Sequence, residues 1–160
     1  YKPFCEGLIE RGYGEKLRMW AYSRVDTIRR PDILNLVREA GIRWLGIGIE
    51  SGDKNVRLEV SKGKFEDVDI KKVVRQVEGA GINVMANYIF GLPTDTKESM
   101  RKTQDLAIDL ATLGWNGYSA MPLPGSQCTK MLLKLVMSCQ TIMKVILFIP
   151  TILFQYQLII

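Results

Sequence analysis

Histidine is absent from all 160 residues, and cysteine occurs only as Cys5, Cys128 and Cys139. Without an imidazole, His-based acid–base catalysis and His-bound metal sites are excluded. The cysteine spacings match no zinc or iron–sulfur motif. An odd count without a secretory leader is expected of a reducing, cytoplasmic setting. No apolar run has the ~20 residues a membrane-spanning helix needs. The most membrane-like stretch, Val145–Phe154, contains Pro150 and follows Lys144, so no membrane partner is expected. An initiator Met is also missing: the chain opens at Tyr1 in mid-pattern, and its natural N-terminus is expected upstream. A further lack is local. Residues 128–160 hold no Asp, Glu or Gly and only three Lys, whereas all 17 acidic residues lie in 1–127, which carry a net of +2. The overall +5 therefore belongs largely to the tail, and it is not read as a nucleic-acid footprint.

What is present suits one domain with a sizeable core, 47% of the residues being hydrophobic. Self-comparison shows a repeat. Val37-Arg-Glu-Ala-Gly41-Ile42 returns forty residues later as Val77-Glu-Gly-Ala-Gly81-Ile82. Each copy ends a helical pattern with Gly, where a left-handed cap is needed. Each is followed by an apolar run, Trp44–Ile49 and then Val84–Ile89. A looser third unit runs through Leu106, Ala107, Leu110, Ala111 and Gly114 into Gly117–Met121. Ahead of these, Leu17–Val25 reads as a strand and Pro31–Ala40 as a helix burying Ile33, Leu34, Leu36 and Val37. The order is β-α-β-α-β-α-β, with strands apolar enough to be buried on both faces of a parallel sheet. Pattern alone leaves a barrel segment and a doubly wound sheet both open.

In parallel α/β folds, ligands sit beyond the carboxyl ends of the strands. Those ends read Ser23-Arg24-Val25-Asp26, Glu50-Ser51-Gly52, Phe90-Gly91-Leu92-Pro93 and Met121-Pro122-Leu123-Pro124-Gly125-Ser126. A guanidinium can grip a carboxylate, a carboxylate or hydroxyl can hold ribose hydroxyls, and bare backbone can lie against adenine. Bland readings stand beside these. Gly46-x-Gly48 lies inside a strand and lacks the third Gly of a dinucleotide loop, so close packing is its expected role. Asp95 and Glu98 read as a capping pair for a helix at Ser99, and Arg24 with Asp26 as a solvated turn. Glu50 resists such a reading, because a carboxylate ending an apolar strand needs a partner or a ligand.

Ser23-Arg24-Val25-Asp26, Arg43–Gly52, Lys62-Gly63, Gly81–Pro93 and Tyr118–Ser126 together resemble the radical S-adenosylmethionine superfamily. Within it, they resemble the subgroup with a cobalamin-binding domain ahead of the barrel. The resemblance covers residues 1–127 and implies an α/β fold: strands three to six of a six-strand partial parallel (β/α) barrel. It implies that Glu50 and Ser51 face the ribose and methionine portions of S-adenosylmethionine. Asn87, Ile89 and Gly91 match a motif whose backbone meets the adenine, although the family's leading Gly is Asn87 here. Met121 and Pro122 match a segment beside the adenine, and Arg24 a carboxylate contact. The implied cofactors are S-adenosylmethionine and a [4Fe–4S] cluster, with cobalamin in the parent enzyme. The implied partners are a small-molecule substrate and a reductase or flavodoxin-type electron donor. The family's C-x3-C-x2-C loop and Gly-Gly-Glu-like turn do not occur in this chain. Without three thiolates the cluster cannot be held, so the chain alone is expected to be an inactive fragment. The alternatives are another (β/α) enzyme fragment binding a phosphate-bearing ligand at the helix after Gly125, and a degenerate chain with no ligand. With its first two strands missing, the sheet is expected to expose the inner face of its leading strand around Met19, Ala21 and Ser23.

After Gln127 the resemblance stops. One base lost from a leucine codon accounts for the junction Gln127-Cys128-Thr129. Read in the restored frame, residues 128–160 permit the family's Gly-Tyr-x-Leu-Pro and His-Ser-Tyr landmarks in order, and Met143-Lys144 must yield Glu. Residues 1–127 are therefore read as the C-terminal part of the core barrel and 128–160 as an out-of-frame tail. The alternative is a native amphipathic or partner-binding helix, against which Pro150 and the β-branched clusters argue.

Overall fold

The computed structural model describes residues 1–61, 68–126, 129–131 and 133. Lys62, Gly63 and most of the segment read as an out-of-frame tail lie outside the described residues. The chain divides into two compact units, Tyr1–Ala120 and Met121–Ile160. The first holds every strand found among the described residues. In chain order its elements are α1 (Lys2–Glu10), β1 (Met19–Arg24), α2 (Val25–Ile28), α3 (Pro31–Glu39), β2 (Ile42–Glu50), α4 (Lys54–Ser61), α5 (Ile70–Gly79), β3 (Asn83–Phe90), α6 (Lys97–Leu110) and β4 (Gly114–Ser119). The strands form one sheet in the order β1-β2-β3-β4, and every pair is parallel. The architecture is the expected α/β arrangement of four successive parallel strands. In the second unit Gly125 takes φ +79°, and the Ser126 hydroxyl accepts the Thr129 N–H at 3.2 Å to start a helical turn.

Local chemistry explains the strand–helix alternation. Pro31 opens α3, where its missing N–H is not needed, with Asp32 in the first turn. Asp69 caps α5 by accepting the Lys72 N–H at 3.0 Å. Both helices stop as the repeat requires, with Gly41 at φ +100° and Gly81 at φ +76°. The Gly41 position is doubly constrained: a methyl group there would come within 3.0 Å of the Gly14 carbonyl. Between these stops, α3 buries Ile33, Leu34 and Val37, and α5 buries Ile70, Val73, Val74 and Val77. These side chains share one core with Leu45, Ile47 and Ile49 of β2 and with Val84, Ala86 and Tyr88 of β3. Each large aliphatic chain so buried contributes about 1.5–3 kcal/mol.

Successive residues of a strand point to opposite faces. The alternate set therefore faces away from the helices: Trp20, Tyr22 and Arg24 on β1, Trp44, Gly46, Gly48 and Glu50 on β2, Met85, Asn87 and Ile89 on β3, and Asn116 and Tyr118 on β4. Trp20 stacks on Trp44 with ring centroids 5.5 Å apart. This corrects the expectation for β1. Met19 and Ala21 pack against the helix-side core, while Trp20 and Tyr22 stand exposed. The third unit of the repeat also differs. The helix α6 ends on Ala111, itself left-handed at φ +44°, and Gly114 opens β4 with the Met85 thioether lying across it. A methyl group at 114 would meet Met85 Sδ at 2.9 Å. Three helices escaped the sequence reading: α1, which buries Cys5, the four-residue α2 and α4.

Candidate functional site

The carboxyl end of β2 departs from regular geometry. Gly48 pairs with Asn87, but the next pair is Glu50 with Tyr88, so β2 carries one extra residue there. Such a bulge re-aims the side chains around it. The Ser51 N–H then bonds the Ile49 carbonyl at 2.9 Å, closing a three-residue turn with Glu50 at its apex and φ +67°. Tight turns of this positive-φ kind are rare, and a non-glycine residue held there costs about 1–3 kcal/mol. The turn lays the Glu50 carboxylate over bare backbone: a methyl group at Gly48 would sit 2.6 Å from its Oε1. Burial alone pushes the Glu50 carboxyl above its ordinary pKa. Among the described residues no hydrogen bond or ion pair reaches it.

Glu50 opens into a cleft of about 450 Å³ lined by all four strands: Tyr22, Ser23 and Arg24, then Gly46, Gly48 and Glu50, then Asn87 and Ile89, then Tyr118. Its floor is the side-chain-free backbone of Gly46 and Gly48, and the Tyr22 ring lies against Gly46, where a methyl group would meet it at 2.6 Å. Arg24 pairs with Asp26 at 3.0 Å and stays half exposed at the rim. The Asn116 amide donates to Asn87 Oδ1 at 3.0 Å and braces β3 against β4. The hollows of about 550 Å³ beside Phe90 and Arg101 and about 530 Å³ beside Asp69 and Lys72 are larger. They are surfaces of α6 and α5 and draw on no more than one strand, so the four-strand cleft is the better candidate.

Of the residues singled out from the sequence, Arg24, Glu50, Asn87 and Ile89 come together in this cleft. Ser51 and Gly91 do not line it. The Ser51 side chain is fully buried and bonded to Thr103 at 3.1 Å. Gly91, at φ +79°, donates its N–H to Asp95 Oδ2 at 3.0 Å, and Leu92 does the same. Met121 and Pro122 belong to the second unit. Asp95 and Glu98 are not the capping pair. Thr96 caps α6 by accepting the Ser99 N–H at 3.1 Å, and Ser99 Oγ returns a bond to the Thr96 N–H at 2.8 Å. Asp95 ties this cap to the turn after β3, its Oδ2 holding the turn while its Oδ1 accepts the Ser99 hydroxyl at 2.6 Å, and Glu98 pairs with Lys102 instead. Tyr22 and Tyr118 were missed as cleft residues. The signal was available, because Tyr22 shares the period-2 face of Arg24.

The donor set separates two possible occupants. A bare backbone floor, an unpaired carboxylate, an arginine and two tyrosines suit a zwitterionic ligand carrying a flat ring. The described residues do not fit an iron–sulfur cluster: Cys5 lies in the core at 1% exposure, and burial pushes its thiol pKa up. Cys128 and Cys139 are outside the described residues. Among the described residues, no group of three His, Cys, Asp or Glu could hold a metal ion, and no helix is long and apolar enough to cross a membrane.

Four parallel strands with helices on one face and a cleft at their carboxyl ends define a segment of a parallel β/α enzyme barrel. The profile of the Radical SAM superfamily matches residues 7–107, and the chain belongs to that superfamily. The match contains Arg24, Glu50, Ser51, Asn87, Ile89 and Gly91 but not Met121 or Pro122. Among curated proteins the chain is 29% identical over 122 residues to the anaerobic magnesium-protoporphyrin IX monomethyl ester cyclase of Cereibacter sphaeroides, covering 74% of this chain and 20% of that protein. It is 34% identical over 113 residues to the hopanoid C-2 methylase of Rhodopseudomonas palustris, covering 68% and 21%. The chain thus spans about a fifth of the length of these relatives. Among solved structures it superposes on the radical S-adenosylmethionine methyltransferase TsrM of Kitasatospora setae, with cobalamin and a [4Fe–4S] cluster bound, at a TM-score of 0.63 and 23% identity, covering 74% of this chain and 24% of that one. Coproporphyrinogen III oxidase (HemN) of Escherichia coli gives 0.63 at 20% identity, covering 78% and 30%. These two likenesses concern the fold.

Proposed function

We propose that this chain is the part of a radical S-adenosylmethionine core that holds the cofactor's ribose, methionine and adenine portions, and that the four-strand cleft is where they bind. One observation carries the reading: the half-buried Glu50 carboxylate, held over bare backbone by a strained turn, has no protein partner among the described residues. A carboxylate so placed is costly unless a ligand completes it. S-adenosylmethionine offers it a ribose diol and an ammonium group. Arg24 at the rim suits the ligand's carboxylate, and the backbone around Asn87 and Ile89 suits the adenine edge. Bound S-adenosylmethionine supplies radical or methyl-transfer chemistry. The residues of this chain bind and orient it, and the tyrosines at either side of the cleft exclude water from the ring.

The cluster's thiolates would come from a segment outside these 160 residues, so the chain alone would be inactive. The intact enzyme would take electrons from a reductase or flavodoxin-type donor and act on a small molecule. Likeness to a methylase and to a cobalamin-bound fold supports cobalamin as its second cofactor. We further propose that residues 128–160 are an out-of-frame tail. The nucleotide sequence through the Gln127 codon tests this: an uninterrupted frame in independent reads would overturn it.

The binding role is tested in the frame-restored, full-length enzyme, reconstituted anaerobically and titrated calorimetrically with S-adenosylmethionine. Glu50→Ala is expected to weaken binding by about 1.5–3 kcal/mol, the worth of a hydrogen bond to a charged group, while iron and sulfide content stays unchanged. Unaltered affinity would remove Glu50 from the site.

A further inference from the structure

A chain of hydroxyls joins the Glu50 turn to the helix behind it. Thr103 of α6 is 1% exposed and Ser51 is fully buried. Thr103 Oγ1 lies 3.0 Å from the Ser99 carbonyl, 2.8 Å from the Gly52 nitrogen and 3.1 Å from Ser51 Oγ. A hydroxyl has one proton to give and two lone pairs. The Ser99 carbonyl can only accept and the Gly52 N–H can only donate, so Thr103 gives its proton to Ser99 and accepts from Gly52. Its remaining lone pair accepts the Ser51 hydroxyl, and Ser51 Oγ in turn accepts the Asp53 N–H at 3.1 Å. Every donor and acceptor in the chain is used in one direction only.

The same turn is held from two other sides. The Arg57 guanidinium donates to the Ser51 carbonyl at 2.7 Å. Gly52 presses on α6 so closely that a methyl group there would meet the Lys102 carbonyl at 2.3 Å. The left-handed conformation of Glu50 is intrinsically unfavourable and persists only where its surroundings over-determine it. The two residues that follow it are fixed by three hydrogen bonds with Thr103 of α6 and Arg57 of α4 and by one steric contact with α6, all from outside the cleft.

We propose that Thr103 is a positioning residue for ligand binding: through Ser51 and Gly52 it locks the strained turn that aims the Glu50 carboxylate into the cleft. The inference rests on the binding role proposed for Glu50. Ser51 then serves the site by holding the turn, with no hydroxyl left over for the ligand.

The experiment is a double-mutant cycle in the frame-restored holoenzyme, read by calorimetric titration with S-adenosylmethionine. Thr103→Val keeps the shape but strands the Ser51 hydroxyl and the Gly52 N–H. It is expected to weaken binding by about tenfold, the scale set by one lost buried hydrogen bond, and Thr103→Ser should restore it. The decisive arm is Thr103→Val on a Glu50→Ala background, where a residue acting only through Glu50 has nothing left to position and affinity should fall no further. Wild-type affinity in Thr103→Val, or the same tenfold loss in both backgrounds, would overturn the positioning role alone. Wild-type affinity in Glu50→Ala would overturn the binding role and this inference with it. Should Thr103→Val fold too poorly to titrate, Ser51→Ala breaks the same bond from the other end and carries the same expectations.

Discussion

The two faces of the sheet are made by the same strands, yet they obey different rules. On the helix side Leu45, Ile47, Ile49, Val84, Ala86 and Tyr88 are each no more than 2% exposed. On the other side the same strands present two glycines, a half-buried carboxylate without a partner among the described residues, an amide pair and exposed aromatic rings. The helix side is what apolar packing alone selects. The cleft side spends stability instead: a bulge, a positive φ at Glu50 and a desolvated carboxylate all work against folding. Where one strand carries both patterns, the face that departs from good packing is the one to search for function.

Substitutions on the two faces should part company, and the largest effect belongs to the helix side. Ile47→Ala removes a fully buried chain and should destabilise by about 2–5 kcal/mol in urea melts of the intact enzyme, with ligand affinity of the folded fraction unchanged. A loss of affinity with little loss of stability would invert the assignment of the faces. On the cleft side Gly48→Ala pushes against the movable end of Glu50, so ligand affinity should drop by up to about 1.5–3 kcal/mol, the worth of a hydrogen bond to a charged group, while the melting midpoint barely moves. An undisturbed affinity would show that Glu50 is not held over Gly48.

Smaller effects sharpen the contrast. The Tyr88 hydroxyl is buried without a partner among the described residues, and desolvation pushes its pKa up to about 12. Tyr88→Phe deletes that unsatisfied group and should be neutral or stabilising by up to about 1 kcal/mol. A clear destabilisation would reveal a bond that the hydroxyl makes in solution. The smallest expected effect depends on pH. Glu50 holds its proton more tightly when folded, because burial raises its pKa. Wild-type stability should therefore fall as pH rises from the ordinary value of 4.5 through the raised one. The Glu50→Gln variant stays neutral. Its melting temperature should exceed wild type by no more than a few degrees at neutral pH, with the two converging below pH 4.5. A gap that widens toward acid would contradict the burial argument.

The strands, their parallel direction and the helix stops at Gly41 and Gly81 could be read from the chain, because periodicity and the left-handed preference of glycine are local properties. Arg24 and Glu50 could be picked out by the same logic, since both stand at strand ends, whereas Asn87 and Ile89 were indicated only by the resemblance to the radical S-adenosylmethionine superfamily. The membership of Tyr22 follows from alternation alone.

Other features had no local signature. Nothing in the order of residues says that Glu50 turns left-handed, because the bulge that turns it depends on register with Asn87 and Tyr88 across the sheet. Nothing shows that Ser51 faces Thr103, 52 residues away, or that Asp95 serves the β3 turn while Thr96 caps the helix. Sequence determined which groups stand at the strand ends, since burial and alternation are set residue by residue. Only the packing of α6 against the turn after β2 decided that Ser51 holds that turn from behind while Glu50 opens into the cleft, because a hydroxyl's direction is fixed by whichever partners the fold brings within hydrogen-bond distance.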